Sequence, residues 1–361
     1  MAKAARSFNR ISRRDFLGLA SMTFLASLIG CQYPPRPAVS VVRVNSGDID
    51  RAVRKAIDLL GGMAKITRNK NHICVKPNLV GDSPHNTTNP EVVRSLVAMM
   101  KEAGKHVFIG EGSAVSTSYS QDEFGNYCYL KDTERLDAMQ REVFDTLGYT
   151  AMAEALDVDL VNLHTGDTVE VDVPKPLAFK KLSINKRLTE IDLLCSVPMM
   201  KTHYFAGVTL GLKNLIGLYP GSVYGSLRSG IHDDALARNS PGLAYEIMDM
   251  VQVNKLGLVV IDATNAMEGN GPASGHVFPM GIIIAGTNPL ATDIVAAHIM
   301  QISPEEIPHF VVANEIGMTP SRFDQIEIFK SPSLNLAEIC PDFQPANVIE
   351  WNQVTRLCPP V

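Results

Sequence analysis

Ile191-Asp192-Leu193-Leu194-Cys195-Ser196-Val197-Pro198-Met199-Met200-Lys201-Thr202-His203 begins as an apolar run and ends on a lysine and a histidine. Residues 191–197 read as a buried β-strand that delivers Lys201 and His203 just past its end. The same arrangement recurs on both sides. Residues 72–76 run into Lys76-Pro77-Asn78, residues 106–109 into Gly110-Glu111-Gly112-Ser113, and residues 256–261 into Asp262-Ala263. Helical patterns separate these runs. Ile49, Val53, Ile57 and Leu60 recur at helical spacing before Gly61-Gly62, and Thr88-Asn89-Pro90-Glu91 combines a capping residue, an early proline and an early acid. Helices are also expected near 134–156, 242–254, 290–300 and 305–316. Further strands are expected at 39–44, 160–163, 281–285 and 325–329. Strands alternating with helices predict an α/β fold, with mainly parallel sheets and helices on both faces, and the length suits one large or two ordinary domains.

In open α/β sheets, ligands bind beyond the carboxyl ends of the strands. The third charged end continues through Gly207 and Gly211 to Lys213-Asn214, and the fourth through Glu268-Gly269, Gly271-Pro272 and Gly275-His276. Lys201, His203 and Lys213 form a local positive site suited to a carboxylate or phosphate. A lysine beside another cation gives up its proton more easily and can act as base or nucleophile, and His203 can serve as an acid–base group or a metal ligand. These three are the candidate catalytic residues. Lys76, Asn78, Glu111, Asn214, Asp262, Glu268 and Gly269 are the candidate substrate- or cofactor-binding residues. The competing reading makes Lys201 and Lys213 solvated, has His203 cap a helix or bond a neighbouring carbonyl, and makes Glu268–Gly269 only a turn; Asp293 itself reads as a structural group at a helix N-terminus. The remaining histidines, among them His309, read as ordinary.

The amino terminus carries a different message. Ser12-Arg13-Arg14-Asp15-Phe16-Leu17 matches the twin-arginine export consensus, and Leu28-Ile29-Gly30-Cys31 has the form of a lipobox. Residues 16–30 form an uncharged apolar run that as a helix would reach roughly 22 Å against a hydrocarbon core of about 30 Å, right for a signal and short for a span. The sequence therefore predicts a signal over 1–30, lipid attachment at Cys31, a linker over 31–38, an α/β region over 39–330 and a surface tail over 331–361. The expected partners are the twin-arginine translocase, the lipoprotein-processing machinery, a membrane reached through the anchor, and a small anionic ligand. The expected location is the periplasmic side of a membrane or the cell surface.

The five basic residues and one acid of the leader amount to +4, which leaves −9 for the rest of a chain whose total is −5. A net acidic body argues against general nucleic-acid binding. The six cysteines include no Cys-x-x-Cys spacing, so no cysteine-bound iron–sulfur cluster is expected; a metal ion of unknown identity is compatible with the polar loops. Cys74 and Cys195 read as buried thiols, and Cys340 and Cys358 can pair in an oxidising compartment.

At these residues the chain resembles the domain-of-unknown-function 362 family. The segments that carry the resemblance are Val75-Lys76-Pro77-Asn78-Leu79, Thr88-Asn89-Pro90-Glu91-Val92-Val93, Ile109-Gly110-Glu111-Gly112-Ser113, Val197-Pro198-Met199-Met200-Lys201-Thr202-His203, Gly211-Leu212-Lys213-Asn214-Leu215-Ile216-Gly217, Asp262-Ala263, Glu268-Gly269-Asn270-Gly271-Pro272 and Pro289-Leu290-Ala291-Thr292-Asp293. Many members of that family carry a ferredoxin-like cysteine domain, which this chain lacks. A remoter likeness, to nickel-pincer lactate racemase, implies a cleft between two α/β lobes and transfers no nickel ligand. The leading expectation is an enzyme of unassigned reaction, a metal- or cofactor-dependent oxidoreductase or isomerase. The alternative is a lipid-tethered protein that binds an anionic ligand without catalysis.

Overall fold

Val41 and Val42, neighbours on strand β1 (Ala38–Arg43), belong to two different apolar clusters, because successive side chains of a strand face opposite ways. The same division runs through β2 (His72–Pro77), where Ile73 and Val75 oppose Cys74, and through β9 (Leu193–Val197), where Cys195 and Val197 oppose Leu194. It continues in β12 (Leu256–Glu268) and β13 (His276–Gly286). A sheet buried on both faces needs helices on both, and it has them. One face is covered by α1 (Ile49–Leu59), α2 (Pro90–Glu102), α3 (Thr133–Thr146) and α4 (Tyr149–Leu156). The other is covered by α5 (Leu243–Val253), α6 (Pro289–Ile299) and α7 (Pro308–Glu315).

The structure is a computed structural model and describes residues 35–114, 120–121, 127–128, 131–225, 242–332, 334–336, 339 and 343–344. The expected signal, Cys31, the start of the linker, Cys340 and Cys358 lie outside the described residues, as does most of the tail.

The main sheet runs β14 (Glu327–Lys330), β1, β13, β12, β9, β2, β3 (His106–Glu111), β6 (Asp159–Asn162). All neighbours pair parallel except β13, which is antiparallel to both β1 and β12. The α/β class with a mainly parallel sheet and helices on both faces is thus realised. The described residues from Pro37 on form one compact unit around one continuous main sheet, and a division into two lobes is not seen among them. Among the described residues, no helix is long and apolar enough to cross a membrane.

Local signals account for most boundaries. Asp48 caps α1 by accepting from the Arg51 N–H, and Asn89 caps α2 by accepting from Glu91, with Pro90 in the first turn. The helix expected over 134–156 is two helices. Gly148 sits between them at φ +76°, a left-handed conformation that breaks the helix and that glycine adopts without penalty. The Gly-rich stretch after residue 202 is more ordered than its composition suggests. β10 (Met199–His203) pairs parallel with β12 and antiparallel with β11 (Gly207–Thr209). Two ribbons outside the main sheet, β4 (Ser120–Gln121) with β5 (Tyr127–Cys128) and β7 (Thr168–Asp172) with β8 (Lys181–Asn185), were not expected.

Candidate functional site

β2 and β3 end side by side, so Lys76 and Glu111 meet. The ammonium lies 2.9 Å from Glu111 Oε2, and both side chains are almost wholly buried. Lys76 also donates to the Pro77 carbonyl and to Asn214 Oδ1, and Asn214 returns its amide to the Lys76 carbonyl and to Ser196 Oγ. Glu111 accepts from the N–H groups of Leu79 and Gly112. Three candidate binding residues thus satisfy one another. Their network also excludes bulk: a Cβ on Gly217 would stand 2.5 Å from Glu111 Oε1 and 2.6 Å from Lys76 Nζ.

Lys201 stands on β10 in different surroundings. It is fully buried, and it donates to two main-chain carbonyls, Asn86 at 2.5 Å and Pro272 at 3.4 Å, and to no carboxylate. An ammonium has three donors, so one has no acceptor among the described residues. Burial, reinforced by the nearby charge of Lys213, lowers its pKa to about 7, against the opposing pull of Glu111 and Asp262. Asp262 accepts from the Asn89 N–H at 2.7 Å and from both N–H and hydroxyl of Thr264, while burial pushes its pKa up.

His203 lies two residues from Lys201 on the same strand, hence on the same face. Its Nδ1 accepts from the N–H groups of Phe205 and Ala206 at 3.1 and 3.3 Å. That nitrogen is therefore unprotonated, and the ring proton resides on Nε2. These contacts close the turn between β10 and β11, where a helix or a carbonyl partner was the competing expectation, and they fix the tautomer.

Lys213 follows a turn held from across the chain. Asp293 accepts the N–H groups of Gly211 and Leu212, both at 2.8 Å, and its burial raises the carboxyl pKa to about 7. Residue 211 must be small, since a Cβ there would meet Val259 at 2.6 Å and Asp293 at 2.8 Å. Asp293 is the structural group that one reading expected, and the turn it holds is the one that delivers Lys213.

The remaining candidates are further out. Asn78 pairs with Thr88 through its main chain, and its Oδ1 is buried without a partner. Glu268 is engaged with His276 Nδ1 at 3.1 Å and with the Gln344 N–H at 2.9 Å, not with a lysine. Gly269 accepts from the Thr202 hydroxyl, which docks the 268–275 turn against β10. Among the described residues, no group of three or more histidine, cysteine or acidic side chains is placed to hold a metal ion. Cys74 and Cys195 are buried free thiols, as expected.

Sequence reading passed over His309. It is fully buried on α7, neither ring nitrogen has a hydrogen-bond partner among the described residues, and burial with the charge of Lys213 lowers its pKa to about 3. A histidine in a short helical stretch carries no mark of this in sequence. A groove of about 730 Å³ lies at the opposite edge of the sheet, lined by His72, His106, Lys105 and Arg187 among others. It sits at the amino ends of β2, β3 and β6, and its charges are matched locally, Arg187 with Asp159 and Lys101 with Asp157.

The order of these polar strand ends along the chain has a counterpart among known proteins. The family model described as "Domain of unknown function (DUF362)" matches residues 73–298. The chain belongs to this family. A thylakoid-associated protein of Synechocystis sp. is 26% identical over 291 residues, 79% of this chain and 81% of its own length. Among solved structures, the lactate racemase apoprotein from Thermoanaerobacterium thermosaccharolyticum is 13% identical with a TM-score of 0.43 over 75% of this chain. A structural-genomics protein from Thermotoga maritima is 15% identical with a TM-score of 0.41 over 72% of this chain. This DUF362 chain spans 60% of the length of each of those two structures.

Proposed function

We propose that this DUF362 protein is an exported, lipid-anchored enzyme that binds a small anionic substrate or cofactor at the carboxyl rim of its sheet, with Lys201 and His203 as proton-exchanging groups and Lys213 as a second positive charge. One observation carries the reading: Lys201 is buried, bonded to carbonyls alone, and shares a strand face with a histidine whose proton is held on Nε2. A buried amine near neutrality exchanges protons at physiological pH, as a general base or acid must. Two lysines in a site of low dielectric attract an anion more strongly than they would at the surface. Lys76, Glu111 and Asn214 brace the rim, and Asp262 and Asn78 border it.

Export and anchoring rest on the twin-arginine and lipobox motifs. The Synechocystis relative is named as thylakoid-associated.

The test is mass spectrometry of small anions, together with elemental analysis and an absorption spectrum, on protein exported through its own signal. The expected result is an anion retained by the wild type and lost from Lys201→Met. His203→Gln should keep that anion if the protein only binds, and should also abolish its conversion if the protein is an enzyme. Identical contents in wild type and Lys201→Met overturn the proposal.

A further inference from the structure

Two residues tied to Lys201 carry buried polar atoms without a partner among the described residues. In the β10–β11 pairing, Lys201 is the register partner of Thr209, and directly opposed residues of an antiparallel pair project to the same face. Thr209 is 97% buried, and its hydroxyl has no hydrogen-bond partner among the described residues. Asn86, whose main-chain carbonyl holds the Lys201 ammonium, has a buried Oδ1 that is also unpartnered. A buried hydroxyl or amide oxygen left without a partner is costly, and such groups are nearly always satisfied in folded proteins. Two residues with such groups are tied to Lys201, which has an N–H to spare: Thr209 by strand register and Asn86 by its main-chain carbonyl.

We propose that Thr209 and Asn86 contact the ligand of the Lys201 site, and that the ligand is an oxyanion which keeps an O–H group. The inference rests on the reading of Lys201 as an anion-binding residue and makes it more specific. The lysine supplies charge and an N–H donor for the anionic oxygens. Asn86 Oδ1 is an acceptor only, so it selects a ligand atom that donates. The Thr209 hydroxyl donates or accepts and can serve either side of the ligand. An acceptor-only anion leaves Asn86 Oδ1 unpaired, and a site with an unpaired buried polar group discriminates against such a ligand.

Inorganic phosphate and sulfate are the probes. They are close in size and shape, but near pH 6.5 phosphate retains O–H groups and sulfate has none. Calorimetric titration of the full chain should give phosphate an affinity about tenfold or more above that of sulfate, the scale of one hydrogen bond to a charged group. In Thr209→Val and in Asn86→Ala the preference should shrink to about twofold or less, while Thr209→Ser, which keeps the hydroxyl, should retain it. Asn86→Ala keeps the test open should Thr209→Val not fold, since Asn86 is only half-buried. If both anions bind, both depend on Lys201, and their ratio is the same in all variants, the inference is overturned and the Lys201 site stands. If neither anion binds, or if Lys201→Met leaves binding unchanged, the site itself is overturned and this inference with it.

Discussion

Lys76 and Glu111, thirty-five residues apart, form a buried ion pair at 2.9 Å that closes the ends of β2 and β3 over the main chain at Gly217. Removing one partner leaves an uncompensated charge in the interior, whereas removing both leaves none. Glu111→Leu or Lys76→Met alone is expected to lower stability by about 3–5 kcal/mol, and the double variant Lys76→Met/Glu111→Leu by clearly less than the sum. Urea denaturation of the four proteins measures this. Additive losses mean that the pair is not coupled.

The Asp293 carboxylate receives two N–H groups, one on each oxygen. Asn at this position turns an amide NH₂ toward one of those donors, so Asp293→Asn should cost about 1–3 kcal/mol and displace the turn that carries Lys213. A denaturation midpoint equal to that of the wild type would show that the turn holds itself.

His309 sets a pH dependence. Its folded pKa of about 3 lies below the ordinary 6.5, so between those values the unfolded chain takes up a proton that the folded chain refuses. This contribution to stability is complete above about pH 6.5 and is lost as the pH falls toward 3. Between about pH 7.5 and about pH 4.5 the wild type should lose more stability than His309→Phe, read from thermal midpoints. Equal losses in the two proteins would place the acid sensitivity elsewhere.

Lys201 works in the opposite range. Its pKa of about 7 lies below the usual 10.5, so the ammonium is present below neutrality and discharges as the pH rises through about 7. Sulfate keeps its charge throughout, so its affinity should fall over this interval, by up to about tenfold per pH unit, and Lys201→Met should flatten the profile. Turnover that uses the neutral amine as a base should rise over the same interval. A sulfate profile unchanged between about pH 6 and about pH 8 removes Lys201 from the anion site.

At the amino terminus, Arg13→Lys/Arg14→Lys should hold the chain in the cytoplasm. Cys31→Ser should leave it unlipidated, so that it separates from membranes on fractionation. A Cys31→Ser protein that stays in the membrane fraction with an intact signal would show that something other than a lipid at Cys31 anchors it.

Much of this was legible without coordinates. Apolar runs four to seven residues long, separated by capped helical patterns, predicted the strands of the main sheet and the helices on both of its faces, because burial demands that periodicity whatever the neighbours are. Asn89 and Pro90 placed the start of α2 for the same reason, since a cap acts within one turn. The hairpin of β10 and β11 was hidden, because its pairing depends on partners on β12 more than fifty residues away and not on its own glycine-rich composition. The antiparallel run of β13 and the single continuous sheet in place of two lobes were hidden in the same way.

Among the polar residues, the chain's own order established which types stand at strand ends, and little more. Lys76 and Lys201 look alike in sequence: each is a lysine just past an apolar run. Only folding set a carboxylate against the first and carbonyls against the second, because the neighbours of a strand end come from other strands. That difference in contacts makes one lysine a brace and leaves the other with a donor to spare, and it also brought Thr209 and Asn86 beside it. Local sequence determines periodicity and caps; what a buried charge meets is decided by segments distant in the chain, through packing and desolvation.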